Sequence, residues 1–385
     1  MHVTPHSVIA AAAAALMTLA ASGCSGSGRA EPIGAILTLT GDAAVYGVPP
    51  RNGIELAADQ INAGGGVRGK LLSLHIEDDG CNPTSGVSAA LKLITTEHVP
   101  VIIGAICSSV TLAIAPIADR EHVVLFSPQS SAPAITNAGD YVFRNWPSDA
   151  IEGKLGAEFA FRQLHAKTAA VLYITNDYGV GISQVFRSQF VALGGKVLRA
   201  DGFAAGTMDF RTQLAVLRSE KPDVVYLASY LTEGSRVLVQ AAEMGLRVPF
   251  IGPIGLLDPE LFKLAGRAAD GLYVSAPAYD TGSADSNVKA FVTAYRARFG
   301  STPNAFAAAG YDAMKILALV MTQRGFSSDS IKAGLYAVHD YPGVSGMTSF
   351  DSNGDVVRPA RMLVARHGAF VPVPMSVSSP ASASR

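Results

Sequence analysis

The chain has 385 residues, 49% of them hydrophobic and 16% charged, with a formal net charge of -1. That length corresponds to about two domains, and the apolar share is ample for buried cores. The near-neutral balance, without a basic stripe or a block of like charge, excludes a dedicated nucleic-acid binder and a charged disordered tail.

In chain order, the first feature is an apolar run from Val8 to Ala21 ending in Ala21-Ser22-Gly23-Cys24. It is shorter than the roughly 20 residues of a membrane span and has the form of a signal-peptide core, giving a leader over residues 1–23. The closing four residues resemble the bacterial lipobox, in which the cysteine, here Cys24, is lipidated and becomes the mature N-terminus. Two departures are plain: no Lys or Arg precedes the run, and Ala21 stands where leucine is commoner. Ordinary secretion with an incidental cysteine is the alternative. Residues 24–32 read as a lipidated flexible tether, and no second apolar run of spanning length is expected. Export accords with the remaining cysteines, Cys81 and Cys107, an even pair that is either a disulfide or two buried thiols.

From Ile33 onward, β-branched runs predict strands at 33–39, 71–77, 100–106 and 122–127. A second series follows at 169–175, 196–203, 223–229 and 249–253. Helical patterns between them cover Gly53–Asn62, Ser85–Glu97, Ile151–Leu164, Gln184–Leu193, Phe210–Arg218 and Glu233–Met244. Continuous apolar strands alternating with helices predict an α/β protein with parallel sheets covered on both faces, in two units of similar design. The break falls near 143–150, where Pro147 precedes a helix capped by Ser148 or Asp149. A second boundary is expected at 275–286, followed by helices at about 287–299, 306–322 and 330–338. Residues 349–357 read as a hairpin turning at Asn353-Gly354, and 373–385 as a disordered tail.

Gly64-x-Gly66-x-x-Gly69 matches the dinucleotide-binding pattern letter for letter. That fingerprint must follow a strand and open a helix, so that a pyrophosphate meets the helix N-terminus. Here a helical pattern ends at the glycines and a strand follows, so they stop a helix and turn the chain. The eight histidines show no metal-ligand spacing, and neither a phosphate-binding loop nor a nucleophile elbow occurs. Asp351-x-Asn353-Gly354-Asp355 has its glycine out of place for a calcium loop. No metal, cofactor or enzymatic activity is expected.

Polar residues do gather where strands end. Cys107, Ser108 and Ser109 follow one strand and Ser130 and Ser131 the next. Tyr178 and Tyr230 hold matching places in the second series. In an open parallel sheet, ligands sit beyond the carboxyl ends of strands. Helix capping is the plain alternative for the serines and core packing for the tyrosines.

These segments converge on a family. "GDAAVYGVPPRNGIELAADQINAGGGVRGKLL", "EDDGCNP", "VIIGAICSSVT", "FSPQSSAPAIT", "NDYGVG", "FIGP" and "AFAAAGYDA" together resemble the periplasmic leucine/isoleucine/valine-binding proteins of bacterial ABC transporters, over about Ile33 to Phe370. The resemblance implies two Rossmann-like lobes of the type I Venus flytrap fold with three hinge crossovers. Lobe one would comprise 33–145 and 277–345, and lobe two 146–276 and 346–372, with the last crossing near Gly346. It implies a Cys81–Cys107 disulfide. It implies a monomer, held to the membrane only by its lipid, on the periplasmic or outer face of the cell membrane. Such a protein hands a small ligand to an ABC permease; a ligand-sensing receptor domain of the same fold is the alternative.

Site roles carry over position by position. Ile106, Cys107 and Ser108 match the loop that holds the ligand carboxylate, and Ser131 a threonine with the same role. Gln129 matches a residue whose backbone meets the ligand ammonium. Tyr46, Tyr178 and Tyr230 match aromatics closing over the ligand, and Phe306 one lining its side-chain pocket. The family's ammonium-binding glutamate is replaced by Ile254. An unpaired buried ammonium is costly, so either Glu233 or Asp258 substitutes for that glutamate, or the ligand is an acid or amide without an α-ammonium rather than a branched-chain amino acid.

Overall fold

The computed structural model describes residues 30–277 and 279–373. The leader, Cys24, most of the tether and the tail beyond Val373 lie outside the described residues.

The first half alternates strand and helix as β1 (Glu31–Leu37), α1 (Ala44–Ala63), β2 (Leu72–Asp78), α2 (Pro83–Thr95), β3 (Val101–Gly104), α3 (Ser108–Arg120), β4 (Val124–Ser127) and β5 (Val142–Arg144). The second series is α4 (Asp149–Glu158), β6 (Thr168–Ile174), α5 (Asp177–Ala192), β7 (Lys196–Phe203), α6 (Arg211–Glu220), β8 (Val224–Ala228) and α7 (Leu231–Glu243). It continues with β9 (Phe250–Gly252), α8 (Glu260–Ala265) and β10 (Tyr273–Pro277). Three helices follow: α9 (Ser286–Phe299), α10 (Ala305–Arg324) and α11 (Ser328–Tyr336). Short β11 (Tyr341–Gly343) and β12 (Gly346–Thr348) pair with each other, and β13 (Ala360–Arg366) and β14 (Ala369–Pro372) close the chain.

One sheet has the order β2-β1-β3-β4-β5 with every pair parallel. The other runs β14-β13-β10-β9-β8-β6-β7, parallel from β7 to β10 and antiparallel at β13 and β14. Strands β3, β4 and β8 are buried along their whole length, which is why they read as unbroken apolar runs. The chain passes between the sheets after β5, after β10 and again before β13. Phe350 packs edge-to-face with Phe126 and Phe143, and Arg144 N donates to Gly354 O, so residues 350–356 lie against the first sheet.

Three sequence expectations need correction. Helix α1 begins nine residues before the expected Gly53 and contains Pro49 and Pro50. Burial of Tyr46, Gly47 and Pro50 holds that segment against its poor helix propensity. Strands β5 and β10, which were not expected, overlap the starts of the two expected boundaries, and the true terminal hairpin is β13–β14. At 349–357 only a single Phe350–Val356 bridge forms, around Asp351, which accepts the N–H groups of Asn353 and Asp355. Finally, α10 is by length and composition apolar enough to span a bilayer, contrary to the expectation of no second such run. It is a core helix with 72% of that window buried. It lies along α1, where a Cβ on Gly53 would sit 2.1 Å from Ala307 O and one on Gly310 2.5 Å from Pro50 O.

The glycine pattern behaves as read. Gly66 takes φ 77°, and a Cβ there would lie 2.0 Å from Lys70 O. The segment closes α1 and delivers the chain to β2. A disulfide links Cys81 to Cys107, with Cα atoms 5.6 Å apart.

Candidate functional site

The carboxyl ends of the two sheets face each other, and a cavity of about 40 Å³ lies between them. At about 10–15 Å³ per water this holds roughly three waters, so a larger ligand enters only when the halves part. Its walls bring together Tyr46, Ile106, Cys107, Ser108, Gln129, Ser131, Tyr178, Tyr230, Ile254 and Phe306. Trp146 and Gly255 complete the lining.

The halves are shut on Tyr46. Its Oη donates to Gly255 O at 2.6 Å and accepts from Leu231 N at 2.8 Å. Tyr46 sits on the first turn of α1, whereas Gly255 and Leu231 follow β9 and β8. The tyrosine therefore latches one sheet's loops to the other's. Around it Tyr178 and Tyr230 stack with centroids 5.3 Å apart, and Trp146 packs on Phe306 at 5.2 Å. The aromatic walls bury apolar surface while keeping a polar edge.

The serine loops are fixed by local hydrogen bonds. Ser127 Oγ donates to Ala105 O at 2.6 Å and accepts from Ser130 N at 2.9 Å. Ser130 Oγ donates to the carbonyls of Ala105 and Ile106 at 3.0 Å each and pairs with Thr111 at 2.7 Å. Ser130 is thereby spent on joining two strand ends and does not line the cavity.

The two serines that do line it are committed in opposite senses. Ser108 Oγ accepts from Ser131 N at 3.2 Å and Ala132 N at 3.1 Å, which leaves its hydrogen to offer. Ser131 Oγ donates to Asp149 Oδ2 at 2.9 Å, which leaves its lone pairs. Ser108 also opens α3, whose first-turn N–H groups have no acceptor within the helix.

Behind this wall stand two acids that the sequence did not single out as site residues. Asp149 and Glu152 are 0% and 1% exposed at the start of α4. Glu152 Oε2 accepts from Ile254 N at 3.2 Å and Ser275 Oγ at 2.9 Å. Burial, then the neighbouring Glu152, pushes the Asp149 carboxyl well above the usual range, and burial pushes Glu152 up to about 7. Burial, with these two acids behind it, also raises the Tyr178 phenol. Four buried polar atoms here have no protein partner: Gln129 Oε1, Trp146 Nε1, Asp149 Oδ1 and Tyr178 Oη. The expected cap assignment resolves in favour of Ser148, which accepts from Ala150 N at 3.3 Å. Acids at i and i+3 in "SDAIEG" share one helix face, and that spacing was the signal for the pair.

The two proposed substitutes for the missing glutamate do not reach the cavity. Glu233 Oε1 accepts from Gly206 N at 2.8 Å, and Asp258 Oδ1 from Glu260 N at 2.8 Å; neither lines it. Glu233 instead joins Asp42 and Asp177 around an outer groove of about 630 Å³, which shares Tyr230 with the cavity. Among the described residues no group of His, Cys, Asp and Glu is placed to hold a metal.

Residues 32–369 match the family described as periplasmic binding protein. A leucine-, isoleucine-, valine-, threonine- and alanine-binding protein of Pseudomonas aeruginosa is 31% identical over 320 residues, 83% of this chain and 85% of its own. The structure of a leucine-binding protein from Thermotoga maritima superposes with a TM-score of 0.84 at 31% identity, covering 89% of this chain and 98% of that one. A solute-binding protein of an ABC transporter from R. palustris, in complex with benzoate, superposes with a TM-score of 0.81 at 25% identity, over 89% and 95% of the two chains.

Proposed function

The chain belongs to the periplasmic binding protein family, and on that premise we propose that it captures an α-amino acid with an apolar side chain between its two halves. The family places it outside the cytoplasm as the solute-binding partner of an ABC permease. The carrying observation is the opposed commitment of the two lining serines. Ser108 offers a hydrogen, as a carboxylate requires, while Ser131 offers lone pairs, as an ammonium requires. Ser131 thus takes the ammonium end, not the carboxylate role its position suggested. Tyr46, Tyr178, Tyr230, Trp146 and Phe306 would enclose the side chain, and Ile106, Cys107 and Gln129 the polar end.

Closure is the working motion. The first lobe is 33–145 with 277–345 and the second 146–276 with the β13–β14 pair; because residues 350–356 lie against the first sheet, 346–356 would move with the first lobe, which puts the last crossing after Val356 instead of near Gly346. The protein acts as a monomer, tethered through a lipid on Cys24, and returns its ligand unchanged. Isothermal calorimetry with L-leucine, L-isoleucine, L-valine and benzoate tests the ligand class, with a Kd near micromolar, roughly 8 kcal/mol, expected for an amino acid. Membrane fractionation of Cys24→Ser tests the anchor, and unchanged membrane association refutes it.

A second reading is supported by Ile254, which puts an apolar side chain where the family resemblance places an acid. It assigns an aromatic or aliphatic carboxylate without an ammonium, the class of ligand held by the R. palustris relative. Tighter binding of benzoate than of any amino acid selects it.

A further inference from the structure

We propose that Asp149, backed by Glu152, is the negative centre of this site and selects a ligand that carries an ammonium beside its carboxylate. This rests on the ligand reading above and adds the residues that impose it. Asp149 Oδ2 holds the Ser131 hydroxyl at 2.9 Å, so the charge acts on the cavity through that oxygen, and its Oδ1 has no protein partner. Glu152 faces the opposite wall, where its Oε2 takes the Ile254 N–H. The missing glutamate at 254 is therefore compensated from behind, by a carboxylate that grips the backbone of the residue replacing it. Helix α4 follows the first passage between the sheets, so its two acids touch loops from both halves when these are shut.

Among the described residues no Lys, Arg or His bonds to either acid, and Arg144 favours the charged form of Asp149 only from a distance. Arg144 is the nearest, and both ends of its fork are taken by Asp355, with Nε and Nη2 each 2.6 Å from a carboxylate oxygen. Its remaining Nη1 holds the carbonyls of Ser131 and Ala132. The other titratable groups facing the pair are Tyr178 on α5, Tyr226 on β8 and Tyr230 before α7, none of which supplies positive charge. The outer groove carries Asp42, Asp177 and Glu233 and is lined by no Lys or Arg. A cation is thus drawn to the mouth and stabilised at the base, and its charge lowers both carboxyls against the burial that raises them.

The test compares L-leucine with 4-methylpentanoate, the same carboxylate without the ammonium, by calorimetry on the wild-type protein, Asp149→Asn and Glu152→Gln, between about pH 5.5 and about 8.5. Asparagine keeps the Ser131 hydrogen bond and removes the charge. Wild type should prefer leucine, and its leucine affinity should fall as pH drops and the pair takes up protons. Asp149→Asn should weaken leucine about tenfold to a hundredfold, the range for hydrogen bonds to charged groups. It should leave 4-methylpentanoate unchanged or tighter, with a flatter pH profile. Glu152→Gln should move both in the same direction by less. A leucine preference and pH profile that survive Asp149→Asn overturn the proposal while leaving the amino-acid reading intact. The pH profile of the wild type needs no variant, and a flat one also overturns it. Wild type that binds 4-methylpentanoate or benzoate and not leucine overturns both while leaving solute capture standing.

Discussion

Replacing Tyr46 by phenylalanine removes one oxygen and two hydrogen bonds, both of which run between the halves of the molecule. The ring keeps its place against Tyr230 and Phe306, with centroids 5.4 and 6.0 Å away, so apolar packing is little changed. Each neutral hydrogen bond contributes about 0.5–1.5 kcal/mol net, so the shut state loses about 1–3 kcal/mol relative to the open one. In the open state water satisfies Gly255 O and Leu231 N, and the penalty falls on closure rather than on folding. That shifts the closing equilibrium by about 5- to 150-fold, and a ligand held only in the shut form loses affinity by the same factor when the free protein is mainly open. Calorimetry with L-leucine should show this weakening, with faster release in stopped-flow and an unchanged denaturation midpoint without ligand. A Kd within about twofold of wild type, with scattering curves that still report closure on leucine, would refute the assignment of Tyr46 as the latch.

Asp355→Ala leaves the buried Arg144 guanidinium unpaired and should cost about 3–5 kcal/mol in urea unfolding; a loss under 1 kcal/mol would contradict the burial argument. Cys81→Ser with Cys107→Ser should lower stability by about 2–4 kcal/mol through the freed unfolded chain, and equal midpoints for the oxidised and reduced wild-type protein would argue against it. Ile254→Glu adds a third carboxyl beside Asp149 and Glu152, so it should destabilise the free protein and fail to improve leucine binding; tighter leucine binding would show that the pair is not the negative centre. Because burial raises both carboxyls, the free protein prefers them protonated. The contribution of Glu152 to stability is fullest below about pH 4.5 and is lost as pH rises through about 7, and that of Asp149 is lost in the same direction. Asp149→Asn and Glu152→Gln should therefore gain stability over wild type at pH 8 and gain less at pH 5, as read by thermal melts.

The alternation of apolar strands with amphipathic helices was enough to determine two mainly parallel sheets, because burial on both faces leaves no exposed position in β3, β4 or β8. The turn at Gly64 to Gly69 was equally legible, since backbone sterics act within a few residues. Of the ten expected cavity residues, eight could be placed because they follow the ends of β3, β4, β6, β8 and β9, whose sheet position is set by the same pattern, while Tyr46 on α1 and Phe306 on α10 came from the family resemblance. What each does there was not legible. Ser130 and Ser131 are neighbours of one chemical type, yet one is spent on Ala105 and Ile106 while the other faces the cavity with its hydrogen given to Asp149. That division depends on which carbonyl or carboxylate the fold brings within 3 Å, from residues 18 to 25 positions away. The buried acids of α4 were hidden for a related reason. Asp149 and Glu152 read as an ordinary charged helix start, and only the packing of two sheets around that helix removes water from them and makes their charge a property of the site.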